Sequence, residues 1–240
     1  MRVLVVGSGT MGRWLAGVFD DAGHAVAVAD ADAERASSLA ADLGVETDDG
    51  DRYDLLALAV PMSAVADATA AYAGRGDAVV DVVGEMRDTV AAVREACPDA
   101  ARVSTHPLFA PDNAPGTVAV VRDAPDDRTE AALDAIAAAG NDLYETTVDG
   151  HDRAMETVQA KTHAAVVAYA IAAEDVPEPF HTPVSGPLSD LVKRVTTGEP
   201  DVYAEIQERF DGADELAAAA KRVAEADAET FAELVEEAGR

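Results

Sequence analysis

The first residues that could do chemistry form a glycine-rich loop near the start of the chain. An apolar run, residues 2–6, leads into the loop, and a helical stretch follows it. The loop consists of six residues: Gly7, Ser8, Gly9, Thr10, Met11 and Gly12. This spacing between a strand and a helix is typical of loops that hold the pyrophosphate of a dinucleotide. We expect all six residues to bind the cofactor, with its phosphates at the amino end of the helix.

An acidic residue after the second predicted strand is placed to bind the nucleotide as well. Asp30 stands where a carboxylate accepts hydrogen bonds from the adenosine ribose hydroxyls. A carboxylate there repels a 2′-phosphate, so we expect NAD as the cofactor, with NADP as the alternative. Asp32 can take the same role, Arg35 can contact a phosphate, and Asp30 can instead cap the next helix.

Two later segments carry histidines that could act on a substrate. His106, in Thr105–Asp112, follows a predicted strand at the sheet edge where such folds bind ligands, although a loop histidine is often only a surface residue. The second segment is predicted to be helical. Four of its residues share one face at four-residue spacing: His151, Met155, Gln159 and His163. His163 is equally consistent with a core histidine.

The first half of the chain alternates strands with helices, which predicts an α/β fold with a doubly wound parallel sheet. The predicted strands are residues 2–6, 25–29, 55–59, 78–82, 102–104, 118–121 and 143–147. From about residue 149 only helices are expected. They are a long helix over 149–173, a helix from about 185 to 198 after a proline-rich loop at 176–187, and one or two helices over 201–240. We expect domains at 1–148 and 149–240.

Four segments together resemble the prephenate dehydrogenase family, the oxidoreductases of tyrosine biosynthesis. They read GSGTMGRW, THPLFAPD, GHDRAMETVQAKTHA and LVKRVTTGEPDVYAEI along most of the chain. The resemblance implies a Rossmann domain followed by an all-helical dimerisation domain. It also implies oxidative decarboxylation of prephenate to 4-hydroxyphenylpyruvate, with hydride transfer to NAD(P)⁺. By this resemblance, His106 matches the catalytic base of the family, and Arg194 matches the arginine that binds a substrate carboxylate. His151 and His163 match histidines that lie at the substrate side. A homodimer joined through the helical domain is implied as well.

One segment departs from the family pattern. The family has Asp-x-x-Ser-x-Lys after the fourth strand, whereas this chain reads DVVGEM from Asp81, so that Gly84 and Met86 replace the serine and the lysine. The serine assists the catalytic histidine in the family, and Thr105 or a water could replace it here. Two alternatives stay open. The chain could be a dehydrogenase for arogenate or another small acid, or a nucleotide-binding regulatory protein without catalysis.

Charge, hydropathy and the numbers of cysteines and histidines exclude several kinds of partner and site. The chain has 46 acidic and 18 basic residues, a net charge of −28, and acidic residues fall along its whole length. A duplex needs a basic face, so nucleic acid is not expected. No apolar run is long enough to span a membrane. The lone Cys97 excludes an internal disulfide, so the cytoplasm is the expected compartment. The five histidines show no known metal-ligand spacing.

This composition resembles proteins of salt-loving archaea and generates a first prediction. Like charges at a net of −28 repel one another in the compact state. Salt screens that repulsion, since the Debye length falls from about 10 Å at 0.1 M to about 3 Å at 1 M. We expect the melting temperature to rise with KCl when followed by circular dichroism. A melting temperature that stays flat up to about 2 M KCl would contradict this expectation.

Overall fold

The structure is a computed structural model that describes residues 1–198 and 200–240. The chain divides into two compact units, Met1–Asp152 and Arg153–Arg240. The sequence places the boundary after residue 148, whereas in the structure the start of the following helix, with His151 and Asp152, belongs to the first unit.

The first unit contains one mostly parallel sheet. Its strands are β1 (Arg2–Val6), β2 (Ala25–Ala29), β3 (Glu46–Thr47), β4 (Tyr53–Leu58), β5 (Gly76–Asp81), β6 (Ala101–Pro107), β7 (Thr117–Ala124) and β8 (Asp142–Glu145). They lie in the order β3-β2-β1-β4-β5-β6-β7-β8. The doubly wound fold predicted from the sequence is confirmed.

Helices cover both faces of this sheet. They are α1 (Thr10–Asp21), α2 (Ala33–Leu43), α3 (Val65–Tyr72), α4 (Arg87–Ala96) and α5 (Asp127–Ala138), and α6 (Val148–Met155) follows the last strand. Alternate residues of β1 enter two different cores: Val3 and Val5 pack in one, and Leu4 and Val6 in the other. Burial on both faces explains why the strand is apolar at every position.

The structure differs from the predicted sheet at two places. The two-residue β3 carries too little pattern to be seen in the sequence. In addition, β6 and β7 pair antiparallel, although the sequence predicts a parallel sheet. The link between them contains only a short 3₁₀ turn at Pro111–Asn113. A parallel pair needs a crossover of a dozen or more residues, usually a helix, so this link can join only antiparallel neighbours.

The second unit is helical among its described residues. Its α-helices are α7 (Thr162–Ala172), α8 (Ser185–Thr196), α9 (Pro200–Arg209), α10 (Gly212–Glu225) and α11 (Ala228–Ala238). A π-helix at Glu156–Lys161 precedes α7, so the predicted helix over 149–173 is not α-helical throughout. The sequence predicts that His151, Met155, Gln159 and His163 share one face of an α-helix. The wider π turn does not keep that spacing.

Close packing accompanies that π segment. A Cβ on Gly212, at the start of α10, would lie 2.5 Å from the carbonyl oxygen of Glu156. The tail after residue 200 forms three helices and not the one or two expected. Across the described ranges, no helix has the length and hydropathy needed to cross a membrane.

Candidate active site

The residues of interest in the first unit meet at one edge of the sheet. The strands β1, β4, β5 and β6 are parallel neighbours, so their carboxyl ends lie side by side. The glycine loop follows β1, and His106 lies near the end of β6. Three strand spacings, about 14 Å, separate β1 from β6. A ligand bound along this edge can therefore reach both features.

The glycine loop is shaped by close backbone contacts. Gly7 has a φ of 108°, and a Cβ on it would lie 2.2 Å from the carbonyl oxygen of Ala59. A Cβ on Gly12 would lie 1.9 Å from the carbonyl oxygen of Gly7. Gly9 is different, since an added Cβ would meet nothing within 4 Å. Open space at the amino end of α1 fits a pyrophosphate, which needs close approach to backbone N–H groups.

Asp30 holds this loop in place. Its carboxylate accepts hydrogen bonds from the backbone N–H of Ser8, at 2.6 Å, and of Asp32, at 3.0 Å. Burial acts to raise the pKa of Asp30, but these hydrogen bonds outweigh it and hold the pKa below its ordinary value. The helix α2 is capped by Asp32, which accepts from the N–H groups of Glu34 and Arg35. Asp30 therefore does not act as the helix cap.

His106 takes part in a buried chain of three side chains. Its Nδ1 lies 2.9 Å from Nε2 of His151, and Nδ1 of His151 lies 2.7 Å from Oδ1 of Asp152. The exposed fractions of His106, His151 and Asp152 are 7%, 2% and 7%. The carboxylate of Asp152 also accepts hydrogen bonds from the backbone N–H groups of Met86 and Arg87, each at 3.1 Å. The start of α6 is thereby fixed to both β6 and α4.

Burial controls the protonation of this histidine. Burial is the largest cause that lowers the pKa of His106, to about 3, and the charge of Asp152 acts in the opposite direction. His106 is therefore neutral at pH 7.

The loop after β5 faces the other nitrogen of His106. A Cβ on Gly84 would lie 3.6 Å from Nε2 of His106 and 3.6 Å from Cε of Met62. The missing family serine would thus stand beside this nitrogen. Thr105 does not take its place, because its hydroxyl is fully buried and donates to the carbonyl oxygen of Asp81. Burial raises the pKa of the Asp81 carboxyl to about 7.

The other two predicted site residues lie in the second unit. His163 packs edge-on against Tyr203 with ring centroids 4.7 Å apart, and burial lowers its pKa. Within the described part of the chain, Nδ1 of His163 is buried without a hydrogen-bond partner. Arg194 is exposed on α8. The roles of His163 and Arg194 stay predictions.

Comparison with known proteins identifies the family. Residues 2–85 match the family model described as NADP oxidoreductase coenzyme F420-dependent. A 4-amino-4-deoxyprephenate dehydrogenase of Streptomyces pristinaespiralis is 30% identical over 209 residues, which cover 77% of this chain and 69% of that protein. The chain belongs to the prephenate dehydrogenase family. With the shape of the glycine loop, membership makes it an oxidoreductase whose Rossmann domain binds NAD(P).

Solved structures agree with the fold of this family. The prephenate dehydrogenase of Aquifex aeolicus, solved with hydroxyphenyl propionate and NAD⁺, superposes with a TM-score of 0.75 at 18% identity. The match covers 100% of this chain and 96% of that one. The arogenate dehydrogenase of Synechocystis gives a TM-score of 0.67 at 16% identity, covering 100% of this chain and 98% of that one.

Within the candidate site, the structure brings some predicted residues together and adds others. His106 and His151 are in contact, and Trp14 of the first motif packs edge-on against Phe109 of the second, with centroids 5.5 Å apart. Both ring nitrogens of His151 are engaged within the protein, so its predicted contact with substrate would require breaking one of these bonds. Sequence reasoning missed Asp152, although its position directly after His151 was a usable signal.

The glycine loop gives a matched pair of substitutions. Gly12→Ala places a Cβ 1.9 Å from the Gly7 carbonyl, whereas Gly17→Ala, on the same helix, meets nothing within 4 Å. We expect Gly12→Ala to weaken NADH binding at least about tenfold, or about 1.4 kcal/mol. Gly17→Ala should keep the affinity, and as a glycine replaced in a helix it should stabilise the protein by about 0.5–1 kcal/mol. NADH fluorescence titration measures the affinity, and equal values for the two variants would contradict the assigned loop.

Proposed function

We propose that this chain oxidises prephenate to 4-hydroxyphenylpyruvate with loss of carbon dioxide, as a step of tyrosine biosynthesis. The observation that carries the proposal is the neutral, buried His106 at the sheet edge that also bears the glycine loop. A histidine in this state can accept a proton from the substrate hydroxyl. Family membership supports the choice of a prephenate-like substrate.

The proton transfers of this reaction can be assigned to His106. Bound NAD(P)⁺ supplies the acceptor for the hydride that leaves the ring carbon bearing the hydroxyl. His106 accepts the hydroxyl proton at Nε2 and holds it while the ring carboxyl group leaves as carbon dioxide. The electron pair of the broken bond enters the ring and makes it aromatic. His106 then returns its proton to the phenolate oxygen, so the reaction releases no net proton.

The substrate is a dianion, which a chain of net charge −28 must bind with a local cation. Arg194 is the proposed holder, since its planar fork gives a carboxylate two charge-assisted hydrogen bonds. His163 is proposed to contact the substrate as well. Its buried Nδ1, without a hydrogen-bond partner among the described residues, supports that role.

The nucleotide is proposed to be NAD, with NADP as the weaker alternative. The low pKa of Asp30 keeps its carboxylate negative at neutral pH, and a negative charge there repels a 2′-phosphate.

A second candidate substrate is 4-amino-4-deoxyprephenate. The relative from Streptomyces pristinaespiralis is named for it. The space that Gly84 leaves beside Nε2 of His106 favours this candidate, because no serine there selects for a hydroxyl group. Arogenate, which differs from prephenate by a side-chain amino group, stays a further alternative.

One assay separates these candidates. Formation of NADH or NADPH is measured in high salt with prephenate, arogenate, 4-amino-4-deoxyprephenate and simple hydroxy acids, using NAD⁺ and NADP⁺ in turn. Turnover with prephenate above the other compounds supports the proposal. Absence of turnover with every compound supports a nucleotide-binding regulator instead.

Replacement of the proposed base tests the mechanism. His106→Asn should lower kcat by about 10²- to 10⁴-fold, the usual contribution of a positioned base, while NAD⁺ binding is retained. His181→Asn, the same change at an exposed histidine, should leave kcat unaltered. Near-normal turnover of His106→Asn would remove this histidine from the mechanism.

We also propose that the chain forms a homodimer through the helical unit. Large apolar side chains on and near α7 and α8 are exposed in the single chain, among them Ile171 (82%), Phe180 (74%) and Val184 (80%). Exposed apolar groups at this density are typical of surfaces that bind another protein.

Sedimentation equilibrium tests this interface. Ile171→Lys places a charge on the apolar face and should shift the protein towards monomer. Tyr144→Lys adds the same charge at a side chain 62% exposed on β8, in the first unit, and should leave the dimer intact. Equal masses for both variants would place the interface elsewhere or exclude it.

A further inference from the structure

With both histidines neutral, the buried chain from Asp152 to His106 has only one consistent direction of hydrogen bonding. An ionised carboxylate only accepts hydrogen bonds, so Nδ1 of His151 must donate to Asp152. A neutral imidazole has one donor, which leaves Nε2 of His151 as an acceptor. It therefore accepts from Nδ1 of His106. The proton of His106 is then on Nδ1, and the lone pair is on Nε2, beside Gly84.

The charge states that this direction requires agree with the surroundings. Burial opposes ionisation of Asp152, but hydrogen bonds from His151 and from the Met86 N–H outweigh it and keep the pKa low. Arg87 adds a positive charge, with Nε 4.0 Å from Oδ2 of Asp152. Glu85 is the opposing neighbour. Its own pKa is raised by burial and then by the Asp152 charge, although the N–H of Asp88 acts to lower it.

The position of Asp152 is fixed independently of the histidines. Oδ1 accepts from the Met86 N–H and Oδ2 from the Arg87 N–H, at the amino end of α4. These two bonds prevent the carboxylate from rotating away from His151. Helix α6 therefore presents the oriented carboxylate of Asp152 to the ring of His151. Carboxylates placed behind a histidine in this way set its tautomer.

We propose that Asp152 and His151 are positioning residues that keep the proton of His106 on Nδ1, so that Nε2 is the basic atom facing the substrate. The inference rests on the proposed function for the identity of the reaction. When Nε2 of His106 takes up the substrate proton, the ring becomes a cation, and its Nδ1–H donates more strongly to His151. The negative Asp152 stabilises that charge until the proton returns to the product oxygen. No proton, electron or bond is gained or lost over the cycle by this pair.

This role replaces the support that the family serine provides. A serine at position 84 would act on the Nε2 side of His106, where the chain has only a glycine. The pair described here acts on the Nδ1 side instead. Orientation of the base is thus retained although the serine is absent.

Two substitutions of His151 test the role without disturbing the bonds from Asp152 to α4. His151→Leu removes the acceptor for Nδ1 of His106 and should lower kcat by about 10²-fold, with KM within about threefold of the original value. His151→Gln keeps an acceptor oxygen at a similar reach and should stay within about tenfold of the original kcat. Equal losses in the two variants would overturn the proposal, since a purely space-filling role does not distinguish them.

A third substitution tests the carboxylate. Asp152→Leu should lower kcat as His151→Leu does, whereas Asp149→Leu, which removes an exposed carboxylate from the same helix, should not. Asp152→Leu can also fail to fold, because it removes the acceptor of two backbone N–H groups. In that case the comparison of His151→Leu with His151→Gln tests the proposal.

A spectroscopic measurement separates failure of this proposal from failure of the proposed function. Nitrogen-15 NMR of the histidine rings at neutral pH reports which nitrogen carries the proton, and it needs neither substrate nor turnover. We expect both His106 and His151 to carry the proton on Nδ1. A proton on Nε2 of His106 overturns the proposal even if prephenate is turned over. The expected tautomers in a protein inactive with every substrate would support the pair and reject the proposed reaction.

Discussion

The hydrogen bond between His106 and His151 is the interaction on which the arrangement of the site depends. It joins a strand of the sheet, β6, to the helix α6 that follows the last strand, far along the chain. Both rings are almost fully buried. A buried polar atom without a partner costs about 1–3 kcal/mol, so each ring constrains the position of the other. The need to satisfy these nitrogens therefore fixes where α6 begins relative to the sheet.

Acidic side chains determine which helix end at the sheet edge can receive an anion. At α4, the first backbone N–H groups are taken by the carboxylates of Glu85 and Asp152, and the partial positive charge of that helix end is neutralised. At α1, the capping residue is Gly9, which has no side chain to take the N–H groups. A phosphate approaching this edge finds α4 occupied by carboxylates and α1 open. The distribution of carboxylates and glycine thus directs the cofactor to α1.

The sequence predicts the parts of the fold and site that depend on local pattern. Apolar runs such as Val3–Val6 identify strands buried on both faces, and the glycine spacing identifies the loop at α1. It does not predict features set by pairing between distant segments. The antiparallel β7 follows from the length of its link to β6, and the contact of Asp152 with α4 joins residues far apart in sequence. Local sequence also does not predict the π-helix at Glu156–Lys161. Its backbone packs against Gly212, which lies far along the chain.

The loss of the family serine changes what the site can distinguish near the reacting carbon. A serine hydroxyl can donate to an oxygen on that carbon, so it favours a hydroxyl substituent over an amine that must itself donate. Here Gly84 provides no such group, and the side chain nearest to that space, Met62, is a soft thioether. The lone pair on Nε2 of His106 accepts a proton from a hydroxyl or from an amine. If the pair His151 and Asp152 orients the ring from the opposite side, the base keeps its direction without selecting between the two substituents. The residues around Gly84 then do not separate prephenate from its 4-amino analogue, whereas arogenate differs from both at the side chain, so contacts with that part of the substrate must distinguish it.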